Sequence, residues 1–509
     1  MTVEPPTRRP NIVFVLSDDH AAHAIGTYGS VVNRTPHIDA VAAAGARLDN
    51  LFATNSLCAP SRASILTGTY SHVNGVTTLD TFIDASQPTF VTALREAGYR
   101  TAFVGKWHMG QGATGGIEHD PQGFDHWEAL IDQGEYHDPR FLSPDGVRVE
   151  PGYATDLITD LAIDWVESLE SPESPESLDD TGGDDPWCVL VWHKAPHRPW
   201  EPDAAHAGLY AEGGPLGGTP IPVPPTFTDD LAGRSDTARR AAMRVADHLT
   251  AEDLKQPVPD GLSAEDEALW KYQRYMEDYL ACVASVDDNV GRLTGWLRER
   301  GELDDTIVVY ASDQGFFLGD HGWFDKRFMY EESIRMPFVL SYPRAVQPGR
   351  AIDRIVTNVD IAPTLLGAAG VPVPDRMQGR SFWADLTDPA VTAADRDRAD
   401  EGFYYRYWMH DDRSHQVGAH YGYRTHRHTL IYFYNDGLGL PGCSDRRFAP
   451  EWELYDLEAD PDELHNVADD PAHAQVRAEL EARLWLAQAE LGDEPHPDQP
   501  VPRLLSGRR

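Results

Sequence analysis

Residues 11–19 read N-I-V-F-V-L-S-D-D, an apolar run that stops on two carboxylates. Runs rich in Val and Ile and bounded by polar residues are how strands buried on both faces of a parallel sheet read. Three further stretches share the design. Residues 101–105, T-A-F-V-G, lead into Lys106-Trp107-His108; residues 187–192, W-C-V-L-V-W, lead into His193-Lys194-Ala195-Pro196-His197; residues 306–312, T-I-V-V-Y-A-S, lead into Asp313-Gln314. Helix-like stretches separate them at 36–45, 88–97, 154–169 and 271–300. The last carries Tyr275, Tyr279, Val283, Val286, Val290, Leu293 and Leu297 at helical spacing. Alternating strands and helices predict an α/β fold with a doubly wound, mostly parallel sheet. In such sheets ligands bind outside the carboxyl ends of the strands, where all four runs place ionisable groups.

Working outward, residues 1–380 form the expected catalytic domain and 381–509 a smaller C-terminal α+β subdomain. The stretches F-Y-Y-R-Y-W (403–408), T-L-I-Y-F-Y (429–434) and W-E-L-Y-D-L (452–457) predict a small antiparallel sheet, closed by a helix over 473–491. Residues 171–186 and 381–402 read as acidic loops. Residues 211–262, rich in Pro, Gly and Asp, read as an irregular insertion near the site mouth.

Of the 509 residues, 82 are acidic and 43 basic, a net charge of −39. Such a surface repels nucleic acid and anionic membranes, so neither is an expected partner. The four cysteines, Cys58, Cys188, Cys282 and Cys443, show no C-x-x-C spacing and suggest neither a disulfide framework nor a zinc site. The first residues lack the apolar core of a secretory signal, and no window approaches the roughly 18 apolar residues of a membrane span. The expectation is a cytoplasmic protein, or a secreted one if the true start lies upstream.

The strand ends carry chemistry. Asp18, Asp19, Asp313 and Gln314 supply hard oxygens, which select Ca²⁺ or Mg²⁺ over zinc. One Asp pair after a strand is commonly a helix cap; two pairs at equivalent strand ends argue for a metal. Cys58 opens C-A-P-S-R-A-S-I-L-T-G, where Pro60 suits the first turn of a helix and Gly68 its end. The residue is then either a buried inert thiol or an anion-site group at a helix N-terminus, with Arg62 one turn along. Lys106 and His108 sit two apart and would share a face if the segment is extended. His197 is presented by a turn stiffened by Pro196 and Pro199, and Lys326 follows a Gly-rich stretch. The chain has only five lysines. Three cations, two histidines and a hard metal around one cysteine describe a site for a sulfate or phosphate ester.

These segments resemble the sulfatase family. C-A-P-S-R-A-S-I-L-T-G reproduces its signature C-x-P-S-R-x-x-x-L-T-G, and G-K-W-H-M-G its second; S-D-Q-G-F-F-L-G-D-H-G, N-V-D-I-A-P-T-L-L and W-E-L-Y-D-L-E-A-D-P read as further family motifs. The resemblance implies an alkaline-phosphatase-like fold and a Cys58 oxidised to Cα-formylglycine by a separate formylglycine-generating enzyme. Its hydrate would attack sulfur and release the alcohol, and the resulting sulfate hemiacetal would collapse by C–O cleavage. Asp18, Asp19, Asp313 and Gln314 would ligate Ca²⁺ together with modified Cys58. Arg62 would hold the nucleophile and Lys106 and Lys326 the sulfate oxygens. His108 would assist the collapse, and His197, with Lys326, would protonate the leaving group. The segments H-K-A-P-H-R-P-W and K-Y-Q-R-Y-M-E-D-Y-L are similar to N-acetylglucosamine-6-sulfatases and mucin-desulfating members, which implies a sulfated sugar as substrate. Arg198, Trp200 and His420 are its candidate contacts. Two alternatives share the site: a phosphonate monoester or phosphodiester hydrolase, and a non-catalytic relative that binds sulfated glycans.

Overall fold

The four apolar runs become adjacent parallel strands. The computed structural model describes residues 9–110, 119–170, 185–211, 214, 216, 219–388, 390 and 401–505. Strands β1 (Asn11–Ser17), β2 (Arg100–Lys106), β3 (His126–Leu130), β4 (Trp187–Trp192) and β5 (Thr306–Ser312) lie in the order β5–β1–β4–β2–β3, all parallel. Antiparallel strands extend both edges, Phe338–Ser341 beside β5 and Arg140–Ser143 beside β3, giving an eleven-stranded sheet among the described residues.

Every residue of β1 is buried. Val13 and Val15 point into one hydrophobic cluster and Ile12, Phe14 and Leu16 into another, so the strand is covered on both faces. Each such side chain contributes about 1.5–3 kcal/mol, which is why the run reads as continuously apolar. Helices α1 (Pro36–Ala44), α4 (Ala154–Ser168) and α5 (Ala264–Glu299) cover the first face. The second is covered by α2 (Cys58–Thr67), α3 (Phe90–Glu96) and α6 (Ile361–Ala368). Helix α5 begins seven residues before the apolar spacing predicts. The Ser263 hydroxyl caps the Asp266 amide at 3.1 Å, and Glu265, Asp266 and Glu267 sit in the first turn, where the helix dipole favours acids.

Strands β6 (Gly402–Tyr407), β7 (His420–Thr425), β8 (His428–Phe433) and β9 (Glu451–Asp456) form a separate antiparallel sheet in chain order, and α7 (Ala474–Leu491) packs against it. Strand β7 has no counterpart in the sequence reading, because Gly422 and its His and Arg residues break the aromatic pattern. Phe382 and Leu386, although beyond residue 380, pack in the cluster under the large sheet. Within 211–262 the described residues form three short helices, Asp236–Arg240, Val245–His248 and Ala251–Leu254, joined by loops. Of the two acidic loops, 171–184 and 391–400 lie outside the described residues. No described helix is long and apolar enough to cross a membrane.

Candidate active site

Beyond Ser17 the chain turns sharply at Asp19 (φ 69°), which brings two carboxylates to the end of β1 facing the end of β5. The Asp19 amide donates to Asp313 Oδ1 at 3.3 Å, and Gln314 Nε2 donates to Asp19 Oδ1 at 2.5 Å. Asp18, Asp19 and Asp313 each place an oxygen within 4.8 Å of the others. Asp18 Oδ1 and Gln314 Oε1 are buried and accept no hydrogen bond among the described residues. Leaving such oxygens bare is costly, and a hard cation with oxygen ligands is the group that fits them. The crowding shows in the acidities. Burial, partly offset by Lys326, raises Asp19 to about 6, and burial together with Asp18 raises Asp313 to about 7. Burial also opposes ionisation of Asp18, but Lys106 and Arg62 outweigh it and hold that group well below the usual carboxylate range.

Cys58 is the first residue of α2, which ends in the left-handed Gly68 (φ 63°). Its sulfur lies within 4.8 Å of an Asp18 oxygen and a His197 nitrogen. Burial, reinforced by Asp18, pushes the thiol far up, so an unmodified Cys58 is a poor nucleophile at neutral pH. One turn along, the fully buried Arg62 donates through Nε to Asp313 Oδ2 at 2.8 Å and through a terminal nitrogen to the Lys106 carbonyl at 2.5 Å. A 3.4 Å ion pair to Asp18 and the Trp192 ring 5.4 Å away complete its surroundings. Arg62 therefore ties the ends of β1, β2 and β5 to the start of α2.

Lys106 ends β2 and donates to the Asp18 carboxylate and, at 2.5 Å, to Gln133 Oε1. Gly105 precedes it with φ +119°, and a Cβ there would lie 2.0 Å from the Trp192 carbonyl oxygen. Lys326 donates to Asp19 Oδ2 at 2.7 Å. Burial works against its charge, but Asp19 and Asp325 raise its pKa well above the ordinary value. The segment after β2 is not extended as expected. The chain turns at His108 (φ 57°), whose buried Nδ1 has no hydrogen-bond partner among the described residues. His197 sits on the turn after β4, with Nδ1 2.7 Å from the Arg198 carbonyl and Nε2 3.7 Å from Asp19 Oδ2. Burial first, then Lys106, lowers the pKa of both histidines well below 6.5, so both rest neutral.

The structure thus brings Asp18, Asp19, Cys58, Arg62, Lys106, His108, His197, Asp313, Gln314 and Lys326 to one end of the sheet. It does not bring Trp200 and His420 to a sugar-accessible surface. Trp200 is fully buried against Tyr275 and Phe316. His420 is equally buried among Tyr405, Tyr407, Phe328 and Phe433, donating Nδ1–H to the Gly418 carbonyl at 2.8 Å. Both are core residues whose large flat rings fill the interior. Arg198 stays partly exposed, but its guanidinium is engaged by Asp253 and lies 5.2 Å from the Phe324 ring centre. The sequence reading passed over Gln133, Tyr136 and the role of Lys194. The loop after β3 that carries the first two has no periodic pattern, and D-Q-G-E-Y offers no signal besides its glycine.

Positive charges held by buried carboxylates and an oxygen-lined cradle can together seat a tetrahedral oxyanion, and a neutral imidazole that takes up a proton beside it can pass that proton to what leaves. The class so defined is a hydrolase of oxyanion esters on a doubly wound α/β sheet. A family model described as sulfatase matches residues 10–371, and one described as N-sulphoglucosamine sulphohydrolase, C-terminal, matches residues 319–490. An N-acetylglucosamine-6-O-sulfatase from Bacteroides thetaiotaomicron is 40% identical over 99% of this chain and 90% of its own. A solved structure of a protein in complex with its substrate D-glucosamine-2-N,6-O-disulfate superposes with a TM-score of 0.83 at 39% identity, covering 97% of this chain and 99% of that one. A phosphonate monoester hydrolase of Agrobacterium radiobacter shares the fold, with a TM-score of 0.71 at 22% identity over 97% of this chain and all of that one. The chain belongs to the sulfatase family and is a sulfuric ester hydrolase.

Proposed function

We propose that this enzyme removes sulfate from O6 of an N-acetylglucosamine-type or N-sulfated glucosamine sugar. The observation that carries the substrate is near-full-length 40% identity to the Bacteroides enzyme named for that reaction, supported by the likeness to the disulfated-glucosamine complex.

Asp18, Asp19, Asp313 and Gln314 would hold a Ca²⁺ ion, and residue 58 would be matured to formylglycine by a formylglycine-generating enzyme. The unpartnered Asp18 and Gln314 oxygens and the unreactive buried thiol support both assignments. Together these groups would supply a hydrated-aldehyde nucleophile and charge stabilisation for the transferring sulfuryl group. The chain's own residues do the rest. Lys106 and Lys326, fixed by Asp18 and Asp19, present ammonium groups to the sulfate oxygens. Arg62 keeps the start of α2 against Asp313. His197 presents Nε2 to the leaving sugar oxygen, because its Nδ1–H is given to the Arg198 carbonyl; the neutral ring takes up a second proton at Nε2 in the anion's presence and passes it to that oxygen. His108, whose buried Nδ1 has no partner among the described residues, would handle a proton for the modified residue 58. With a divalent cation bound, Arg62, Lys106 and Lys326 together with that ion would outweigh the three carboxylates, so an anion could bind to a chain of net charge −39.

The test compares N-acetylglucosamine 6-sulfate, 4-nitrophenyl sulfate and a phenyl phosphonate monoester on protein co-expressed with a maturation enzyme. Release of 6-O-sulfate is expected to dominate. A phosphonate preference of more than about tenfold would overturn the assignment, as would a Cys58 peptide that keeps its thiol mass.

A further inference from the structure

The turn that presents His197 satisfies little of its own backbone: within it Trp200 N donates to the His197 carbonyl at 3.4 Å and His197 N to the Lys194 carbonyl at 3.0 Å. Pro196 and Pro199 bring no N–H to it, so the carbonyls of residues 198–200 need donors from elsewhere. Side chains supply most of them. The Tyr136 hydroxyl donates to the His197 carbonyl at 2.5 Å. Lys194 Nζ donates to the Arg198 carbonyl at 3.5 Å, and Lys255 Nζ donates to those of Pro199 and Trp200 at 2.8 Å each.

Lys194 is the centre of this arrangement. It is buried, it donates also to the Gln133 carbonyl at 3.2 Å, and it lies 4.9 Å from the centre of the Tyr136 ring. One ammonium thereby joins two loops. The first carries Gln133, whose side-chain oxygen holds Lys106. The second carries the Arg198 carbonyl, which accepts the His197 Nδ1–H at 2.7 Å. A carbonyl oxygen can only accept, so this contact places the ring's fixed proton on Nδ1 and leaves Nε2 for transfer.

We propose that Lys194 and Tyr136 are positioning residues that set the tautomer and aim of His197 and couple that aim to the placement of Lys106 through Gln133. The inference rests on the acid role of His197 stated above. It assigns function to a lysine that touches neither the sulfate site's carboxylates nor Cys58 in any described contact.

The test is a double-mutant cycle on the calcium-loaded, matured enzyme, with N-acetylglucosamine 6-sulfate as the poor leaving group and 4-nitrophenyl sulfate as the good one. Lys194→Met and Tyr136→Phe are each expected to lower kcat on the sugar sulfate by about tenfold while KM stays within about twofold, with 4-nitrophenyl sulfate nearly unaffected. Lys194→Arg should recover part of the loss. In a His197→Ala background, adding Lys194→Met should cost less than about twofold more. Full multiplication of the two effects, or equal losses on both sulfates, would overturn the proposal. Should Lys194→Met fail to fold, Tyr136→Phe, which removes one hydroxyl, carries the same cycle. Failure of the underlying reading is distinct: His197→Ala alone would then cost both substrates equally.

Discussion

Cys58 and Asp313 set the chemistry at the scale of single residues. Cys58 opens a helix whose every residue is buried, so Cys58→Ala should fold normally and lose at least a thousandfold in turnover, an order-of-magnitude expectation for a missing nucleophile. Activity near wild type, measured beside an unchanged thermal transition, would point to another nucleophile. Asp313 serves both the oxygen cradle and Arg62. Asp313→Asn keeps the shape and removes the charge, so Ca²⁺ affinity by calorimetry and turnover should fall together. Full activity in excess chelator would remove the metal from the scheme. The sequence exposed these positions because Asp313 follows an apolar run at a strand end and Cys58 opens C-A-P-S-R at the start of a helix. Trp200 and His420 were misassigned for the complementary reason: their neighbours in sequence were informative, but the direction of a side chain is set by packing.

Elements carry the next level of control. Strand β2 delivers Lys106 only because Gly105 lets it pass close to β4. Gly105→Ala would set a Cβ 2.0 Å from the Trp192 carbonyl at φ +119°. It should destabilise the fold by about 2–4 kcal/mol, read by denaturant unfolding; a loss under about 0.5 kcal/mol would show that the two strands can separate freely. The loop after β9 holds a second test. Glu463 is buried and accepts the Glu331 amide at 2.8 Å, and burial, reinforced by Glu332, raises it from 4.5 to about 8. Between those values the folded chain binds this proton more tightly than the unfolded chain, so stability falls as pH rises through the window. Glu463→Gln keeps the acceptor and should stabilise the protein at pH 8 with little change at pH 4.5. Equal unfolding midpoints of both forms at pH 8 would refute this. Strands β1, β2, β4, β5, β6, β8 and β9 and helices α1, α3, α4 and α7 were readable from the sequence pattern, whereas β3, a short run with His, Trp and Glu, was not. Strand β7 and the start of α5 were not, since one depends on partners across a sheet and the other on a serine cap.

At the scale of the molecule, net charge opposes the substrate that the site attracts. A surface at −39 repels a sulfated oligosaccharide more than a sulfated monosaccharide. Raising ionic strength from about 0.01 M to about 0.15 M should therefore raise kcat/KM for the oligosaccharide by more than for the monosaccharide. Equal salt responses would mean that only the local pocket is felt. The sequence by itself determined the α/β sheet, the strand ends as the site and the residue types gathered there, because burial on two faces and hard-ligand chemistry leave one-dimensional patterns. Only the tertiary structure decided how those residues are held. Arg62 bridges three strand ends, Gln133 meets Lys106, and Lys194 pins the turn of His197. These contacts join residues from 4 to 251 positions apart with no repeat between them, and a hydrogen bond across a folded sheet leaves no periodic trace in the chain that makes it.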